Sequence, residues 1–243
     1  MKHRHLPEQN PDAYVSPKAE IVRFEQDGKD VLFTVTSEKD LIQTHHRLGH
    51  FYEPEELAII AQHFVKGTVF LDIGANVGNH SIYTALFLRP AEIIPIEPNP
   101  VAYEVLESNV RLNGLDEIFD LSYLGYGVSD QPTSGASIWY RNRNVGGGKI
   151  IPEGGDIELV TGDMVCADRH IGFIKIDVEG MEMDVLRGLG ETLKRSQPKM
   201  FIEVDQENDE AFQAWLEENE FEVLDTFKRY KTNNNYLIST ASK

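Results

Sequence analysis

Two groups of acidic residues carry the chemistry that can be read from this chain. The first centres on Asp72, which ends the apolar run Val69-Phe-Leu-Asp-Ile73 and precedes a turn spaced by Gly74, Asn76 and Gly78. Glycine lets backbone approach a ligand closely, and asparagine enters the left-handed region at lower cost than most residues. Such a turn between a strand and a helix cradles nucleotide-like cofactors. Asp72 narrows the ligand: a carboxylate at the strand end repels the pyrophosphate of NAD, whereas the ammonium and sulfonium of S-adenosylmethionine gain from it. Glu97 stands 25 positions after Asp72, at the tip of a second apolar run from Glu92, where an acid accepts hydrogen bonds from ribose hydroxyls. Asn79, Pro98 and Asn99 lie beside these groups and join the candidate cofactor set. The glycines alone would serve an ordinary strand-to-helix turn equally well.

The second group is Lys175-Ile-Asp177-Val-Glu179. Strand alternation predicts Lys175, Asp177 and Glu179 on one face, with Ile174, Ile176 and Val178 on the other. Ligands of open α/β sheets bind beyond the carboxyl ends of the strands, where these acids fall. Neighbouring carboxylates drive their pKa values apart, and Lys175 opposes that shift. An aliphatic hydroxyl, like water with its pKa of about 15.7, must lose its proton as it attacks an electrophilic methyl group. Asp177 or Glu179 is therefore a candidate general base, with capping of the next helix as the alternative role. His80 follows the cofactor turn and is a second candidate base or a helix-start residue. His45, His46 and His50 read as exposed loop histidines, with ligand or base as the alternative. Gly127, Val128 and Ser129 follow the third expected strand, where an adenine pocket would lie.

Asp72-Ile-Gly-Ala-Asn-Val-Gly78, Glu97-Pro-Asn-Pro100 and Phe173-Ile-Lys-Ile-Asp-Val-Glu-Gly-Met-Glu-Met-Asp-Val-Leu-Arg-Gly188 together resemble the FkbM family of S-adenosylmethionine-dependent methyltransferases, over Phe51 to Asp205. The resemblance implies a class I methyltransferase fold, S-adenosylmethionine as donor, and O-methylation of a hydroxyl on a sugar, glycan or natural product. Tyr52 and Glu53, within Gly49 to Pro54, resemble the family's segment that closes over the cofactor. Two other functions compete. An N-methyltransferase acting on protein or nucleic acid would carry Asn-Pro-Pro-aromatic where this chain has Asp177-Val-Glu179. A protein that only binds S-adenosylmethionine would lack turnover.

The elements that must position these groups alternate. Ile21 to Phe24 and Val31 to Thr36 flank Asp27-Gly28 and predict a hairpin. Pro54 opens a helix with Leu57, Ile60, Ala61 and Phe64 on one face. Helices are predicted over His80 to Arg89, Val101 to Asn113 (ending at Gly114), Met181 to Leu193 and Asp209 to Asn219; strands over Phe119 to Leu124, Phe173 to Val178, Met200 to Val204, Phe221 to Phe227 and Asn235 to Ser239. This pattern gives an α/β, Rossmann-like, mostly parallel sheet with helices on both faces and an antiparallel closing pair. Residues 1–50 form an N-terminal hairpin and cap segment, and 51–243 the methyltransferase domain. Gln131 to Asp163, rich in glycine and bearing Trp139 and Tyr140, is a β-rich insertion and a candidate substrate lid.

Composition bounds the remainder. With 243 residues and 41% hydrophobic content the chain can bury one substantial core. Its single cysteine, Cys166, forms no internal disulfide or thiolate cluster, and no metal site is expected. The net charge of −17 disfavours nucleic acid, although Arg141, Arg143 and Lys149 make a small basic cluster. Met1 to Asp12 is polar and no run approaches membrane-spanning length, so a soluble cytoplasmic protein is expected.

Overall fold

The computed structural model describes residues 4–6, 10–15, 19–140, 148–151, 153–229 and 231–241. A short antiparallel pair, β1 (Arg4–Leu6) and β2 (Asn10–Val15), precedes the expected hairpin of β3 (Glu20–Gln26) and β4 (Lys29–Val35). The hairpin turns through Asp27 and Gly28, whose positive φ values of 50° and 75° match the right-handed twist of the strands they join. Val31 and Phe33 enter the same apolar core as Phe51, Ile60, Phe70 and Phe173.

Helix α1 (Leu41–Arg47) was not anticipated; Asp40 caps it by accepting from the Gln43 amide at 2.9 Å. Helix α2 (Pro54–His63) begins at Pro54 as expected. Strand β5 (Val69–Ile73) then leads through the glycine turn into α3 (Asn79–Tyr83). The predicted helix to Arg89 does not stay α-helical, because Thr84–Leu88 form a π-helical turn that ends at left-handed Arg89. Strand β6 (Glu92–Ile96) is followed by α4 (Pro100–Leu112), capped by the Asn99 side chain and stopped before Gly114 at φ 65°. Asn109 and Asn113 of this helical stretch accept from the amides of Thr34 and Leu32, fastening the hairpin to the body of the molecule.

A second four-stranded sheet, ordered β7-β10-β8-β9, joins β7 (Tyr126–Val128), which precedes the expected insertion, to β8 (Thr133–Tyr140), β9 (Gly148–Ile151) and β10 (Ile157–Val160), which lie within it. The side chains of Trp139 and Tyr140, and residues Arg141 and Arg143, lie outside the described residues. Next come α5 (Gly162–Cys166), β11 (Ile171–Ile176), α6 (Glu182–Gly188), α7 (Gly190–Ser196), β12 (Lys199–Asp205), α8 (Asp209–Glu218), β13 (Phe221–Phe227) and β14 (Asn233–Thr240).

The main sheet runs β13-β14-β12-β11-β5-β6. β12, β11, β5 and β6 are parallel, while β14 pairs antiparallel with both β12 and β13. Two expected elements differ. Phe119 to Leu124 is not a strand; it touches β6 only through the bridges Ile93–Phe119 and Glu97–Leu124. Asp120 folds its carboxylate onto the Ser122 amide at 3.1 Å, and this local turn competes with extended pairing. The helix from Met181 is broken at Leu189 into α6 and α7, since Gly188 and Gly190 weaken helix propensity. Gly188 also approaches the backbone of Ser129 so closely that a Cβ would lie 2.2 Å from its carbonyl oxygen.

Candidate active site

The tips of β5, β6, β11 and β12 meet at one edge of the sheet, and each contributes a charged group. Asp72, fully buried in β5, accepts from the Ser81 hydroxyl at 2.6 Å and lies 3.3 Å from Lys175 Nζ. Lys175 projects from β11, donates to the Gly74 carbonyl at 2.7 Å, and lies 3.5 Å from Asp177 Oδ2. Burial alone would lower the Lys175 pKa, but Asp72, Asp177 and Glu53 more than reverse this and hold it charged.

The glycine turn is locked from both sides. The Gly74 and Ala75 amides donate to Ile96 of β6, and Gly74 has φ 80° with no room for a side chain: a Cβ would lie 1.8 Å from the Asp177 carbonyl oxygen. Asn76, left-handed at φ 51°, donates its amide to Glu97 at 2.8 Å, while the Asn99 amide reaches the other Glu97 oxygen at 2.9 Å. Burial pushes Glu97 up to about 7 despite these donors.

The expected one-face alternation of Lys175, Asp177 and Glu179 is corrected by the end of the strand at Ile176. Asp177 extends the pairing by one amide, to the Ile73 carbonyl at 3.0 Å, and stays beside Lys175. The chain then turns through Glu179 and Gly180 at φ 51° and 97°, so Glu179 belongs to a loop. The first turn of α6 has no side-chain cap from its N-cap residue, Met181; the Gly180 amide is taken by Glu182 at 2.6 Å.

Glu53 and His80 complete the near wall. Glu53 is left-handed at φ 56° at the start of α2, and its Oε2 lies 3.6 Å from His80 Nε2. Burial, then repulsion by Asp177 and Glu56, pushes Glu53 up to about 8. Burial and the Lys175 charge hold His80 down to about 3, so it is neutral. Asn79 turns its amide to its own neighbours, exchanging bonds of 2.9 Å with the Tyr52 backbone and meeting His46 Nε2 at 3.0 Å. His46 is not the exposed loop residue that was expected: it is buried in α1, stacked on Phe33 at 3.6 Å, and held down to about 4 by burial. His45 and His50 face each other outside the pocket, with Nδ1 atoms 3.4 Å apart.

Two pockets open here and share Gly74, Asn76, Asp177 and Glu179. The narrow one is lined by Glu97, Pro98, Asn99, Gly127 and Val128, together with Ile138 and Ile150 from the insertion. Gly127 permits this approach, since a Cβ there would lie 2.7 Å from Ile150. Ser129 is buried behind the pocket, its amide donated to Val160. The wider pocket, about 310 Å³, is lined by Glu53, Asn79, His80 and Lys175, and by two residues that sequence reading missed, Glu203 and Asn233. Glu203 was visible as an acid inside the apolar strand Met200-Phe-Ile-Glu-Val204. Burial and the nearby Asp177, Glu53 and Glu179 push it up to about 9, and Asn233 donates to it.

The profile of the methyltransferase FkbM domain matches residues 72–234, which include Asp72, Glu97, Lys175, Asp177 and Glu203 but not Glu53. The chain belongs to the FkbM methyltransferase family. The chain is 26% identical over 178 residues to the hexuronic acid methyltransferase AglP of Haloferax volcanii, covering 70% of this chain and 69% of that one. It is 28% identical over 158 residues to the methyltransferase sdnD of Sordaria araneosa, covering 50% of this chain and 60% of the relative. Among solved structures, an FkbM methyltransferase from Methylobacillus flagellatus superposes with a TM-score of 0.52 at 16% identity, over 70% of this chain and 43% of that one. Streptococcus pneumoniae Sp1610, a putative tRNA (m1A22) methyltransferase in complex with S-adenosyl-L-methionine, gives 0.51 at 15% identity, over 78% and 73%. These likenesses establish the class I, Rossmann-like methyltransferase fold. No helix among the described residues is long and apolar enough to cross a membrane.

Proposed function

We propose that this FkbM domain transfers a methyl group from S-adenosylmethionine to a hydroxyl of a sugar, glycan or natural product, with Asp177 as the proton acceptor. The observation that carries the reading is the shared floor of the two pockets, Gly74, Asn76, Asp177 and Glu179. The apolar lining of the narrow pocket suits the adenine of the donor, and the wider pocket is the place for the donor's amino-acid portion and an acceptor.

The residues present fit the donor. Glu97 has its carboxylate anchored by two backbone amides at the edge where a ribose would lie, and Pro98, Val128, Ile138 and Ile150 offer apolar contact to a flat base. Asp177 and Glu179 supply negative charge opposite a cationic ligand. Bound there, the donor supplies a methyl group made electrophilic by positively charged sulfur. Lys175 fixes Asp177 in place, and Asp177 takes the acceptor's proton while the acceptor oxygen is oriented by the pocket wall. The AglP relative is named for action on a hexuronic acid, which supports a sugar-like acceptor class.

Asp177→Asn should fold and bind donor yet lose about 10² to 10⁴ in turnover, the usual worth of a positioned base. Donor calorimetry and methyl transfer on the same variant decide this; an active Asp177→Asn would transfer the role to Glu179 or His80. Turnover should also survive chelation. Among the described residues no group of three His, Cys, Asp or Glu side chains converges to hold a metal ion. Loss of activity in EDTA, restored by magnesium, would recast Asp177 and Glu179 as ligands.

A further inference from the structure

Glu56, in the first turn of α2, has only 2% of its side chain exposed. A buried carboxylate needs an opposite charge in good geometry, and Arg229 supplies it from 173 positions later in the chain. Its Nε donates to one Glu56 oxygen at 2.7 Å and its Nη2 to the other at 2.6 Å, while Nη2 also reaches the exposed Glu55 at 2.6 Å. The planar guanidinium suits this two-pronged grip, which a lysine ammonium does not reproduce. Among the described residues no other lysine or arginine pairs with Glu56. Arg229 itself rests over the Phe227 ring at the end of β13, 5.6 Å from its centre.

This ion pair joins two segments that both border the wider pocket. Tyr52 and Glu53 lie just before Glu55 and Glu56, Thr232 and Asn233 lie just after Arg229, and all four line that space. Glu53 is bracketed. Tyr52 before it exchanges backbone bonds with Asn79, and Glu56 after it is held by Arg229. The Glu53 φ of 56° is costly for a residue with a side chain, and the following Pro54 favours extended backbone instead. Such a conformation persists only where the surroundings hold it, so loss of either bracket frees Glu53 to relax.

We propose that Arg229 is a positioning residue for methyl transfer: its grip on Glu56 ties the connection between β13 and β14 to α2 and so fixes Glu53 against the ammonium of the donor's amino-acid portion. The proposal rests on the methyl-transfer reading, which puts that portion in the wider pocket. The Arg229 charge has a second effect. Asp177 of β11 and Glu56 of α2 favour the protonated form of Glu53, and Lys175 of β11 and Arg229 oppose them. Neutral His80 of α3 stands 3.6 Å away, and Glu203 of β12 is a further acidic neighbour. Ionised Glu53 attracts an ammonium more strongly than the protonated form, so donor affinity should rise as pH passes through about 8. Removing the Arg229 charge moves that rise to higher pH.

The test is calorimetric titration of S-adenosylhomocysteine into the full chain and its variants across the pH range in which Glu53 titrates, with melting temperature measured alongside. The ligand's own amino group titrates identically in every sample, so differences between variants belong to the protein. Arg229→Gln should raise Kd about tenfold, the scale of a lost hydrogen bond to a charged group, and shift the pH-dependent rise in affinity upward. Arg229→Lys keeps the charge without the fork, so its rise should stay at the wild-type pH while its Kd lies between the two. Glu55→Gln is the control: its side chain is 58% exposed, and affinity should stay within about twofold. Wild-type Kd and pH profile in Arg229→Gln, whatever its melting temperature, would reduce Arg229 to a stabilising contact and overturn the proposal. Where Arg229→Gln alone does not fold, Glu56→Gln combined with Arg229→Gln strands no charge and takes its place; weakened affinity is expected there, and wild-type affinity overturns the proposal in the same way. A wild-type chain that binds no S-adenosylhomocysteine removes the methyl-transfer reading and this inference with it.

Discussion

At the scale of single residues, the site is organised around one compensated charge. Lys175 and Asp72 are both buried, and each offsets much of the cost of burying the other, with Asp177 adding to the support of Lys175. Lys175→Met should therefore cost about 3 to 5 kcal/mol in chemical denaturation, the usual penalty for stranding a buried partner. Adding Asp72→Asn should recover part of that loss, whereas strictly additive losses would show that the two groups do not act as a pair. The local character of these residues explains how early they could be read. Asp72, Glu97 and the Lys175 to Glu179 run each sit at the end of an apolar strand, where a charge stands out. Glu203 and Asn233 carried a weaker signal, because their place in the site arises from β14 inserting antiparallel beside β12, and no local pattern encodes that pairing. His46 was misread for a related reason: its burial depends on Phe33, thirteen positions earlier, across an unanticipated helix.

At the scale of elements, what matters is how closely strand tips and turns can approach. The β5 turn and the β11 tip interlock through Gly74, and a methyl group there meets backbone that cannot swing aside. Gly74→Ala should abolish measurable donor binding and lower the melting temperature clearly. Gly28→Ala is the matched control, with similar φ of 75° but nothing within 4 Å of the added carbon, and should cost only about 1 kcal/mol with donor affinity unchanged. Equal effects at both positions would mean that backbone strain, not the Asp177 contact, sets the requirement for glycine. The parallel order of the sheet was legible in the alternation of apolar runs and amphipathic stretches. The third strand was not, because Asp120 satisfies a local turn that hydropathy does not register. Nor did the sequence reading show that the insertion supplies Ile138 and Ile150 to the narrow pocket, a contact that follows from its folding into the second sheet.

At the scale of the whole molecule, the excess of buried acid sets a pH dependence. Glu53, Glu97 and Glu203 are held at about 8, 7 and 9 against an ordinary value of 4.5, so the folded chain binds more protons than the unfolded one across that interval. Their contribution is favourable at low pH and is lost as pH rises through those values. His46 and His80, held at about 4 and 3 against 6.5, act oppositely but only below about pH 6.5. The donor-free protein should thus lose melting temperature from pH 6.5 to 9, and Glu203→Gln should flatten the decline. A melting temperature that climbs over this range would contradict the burial of these carboxyls. The wider pocket also draws on residues as far apart in sequence as Asp40 and Asn233. During synthesis, the glycine turn and Glu97 leave the ribosome well before β14 exists. A nascent chain can therefore close the β5 turn against β6 while β14, which brings Asn233 to the wider pocket, is still untranslated.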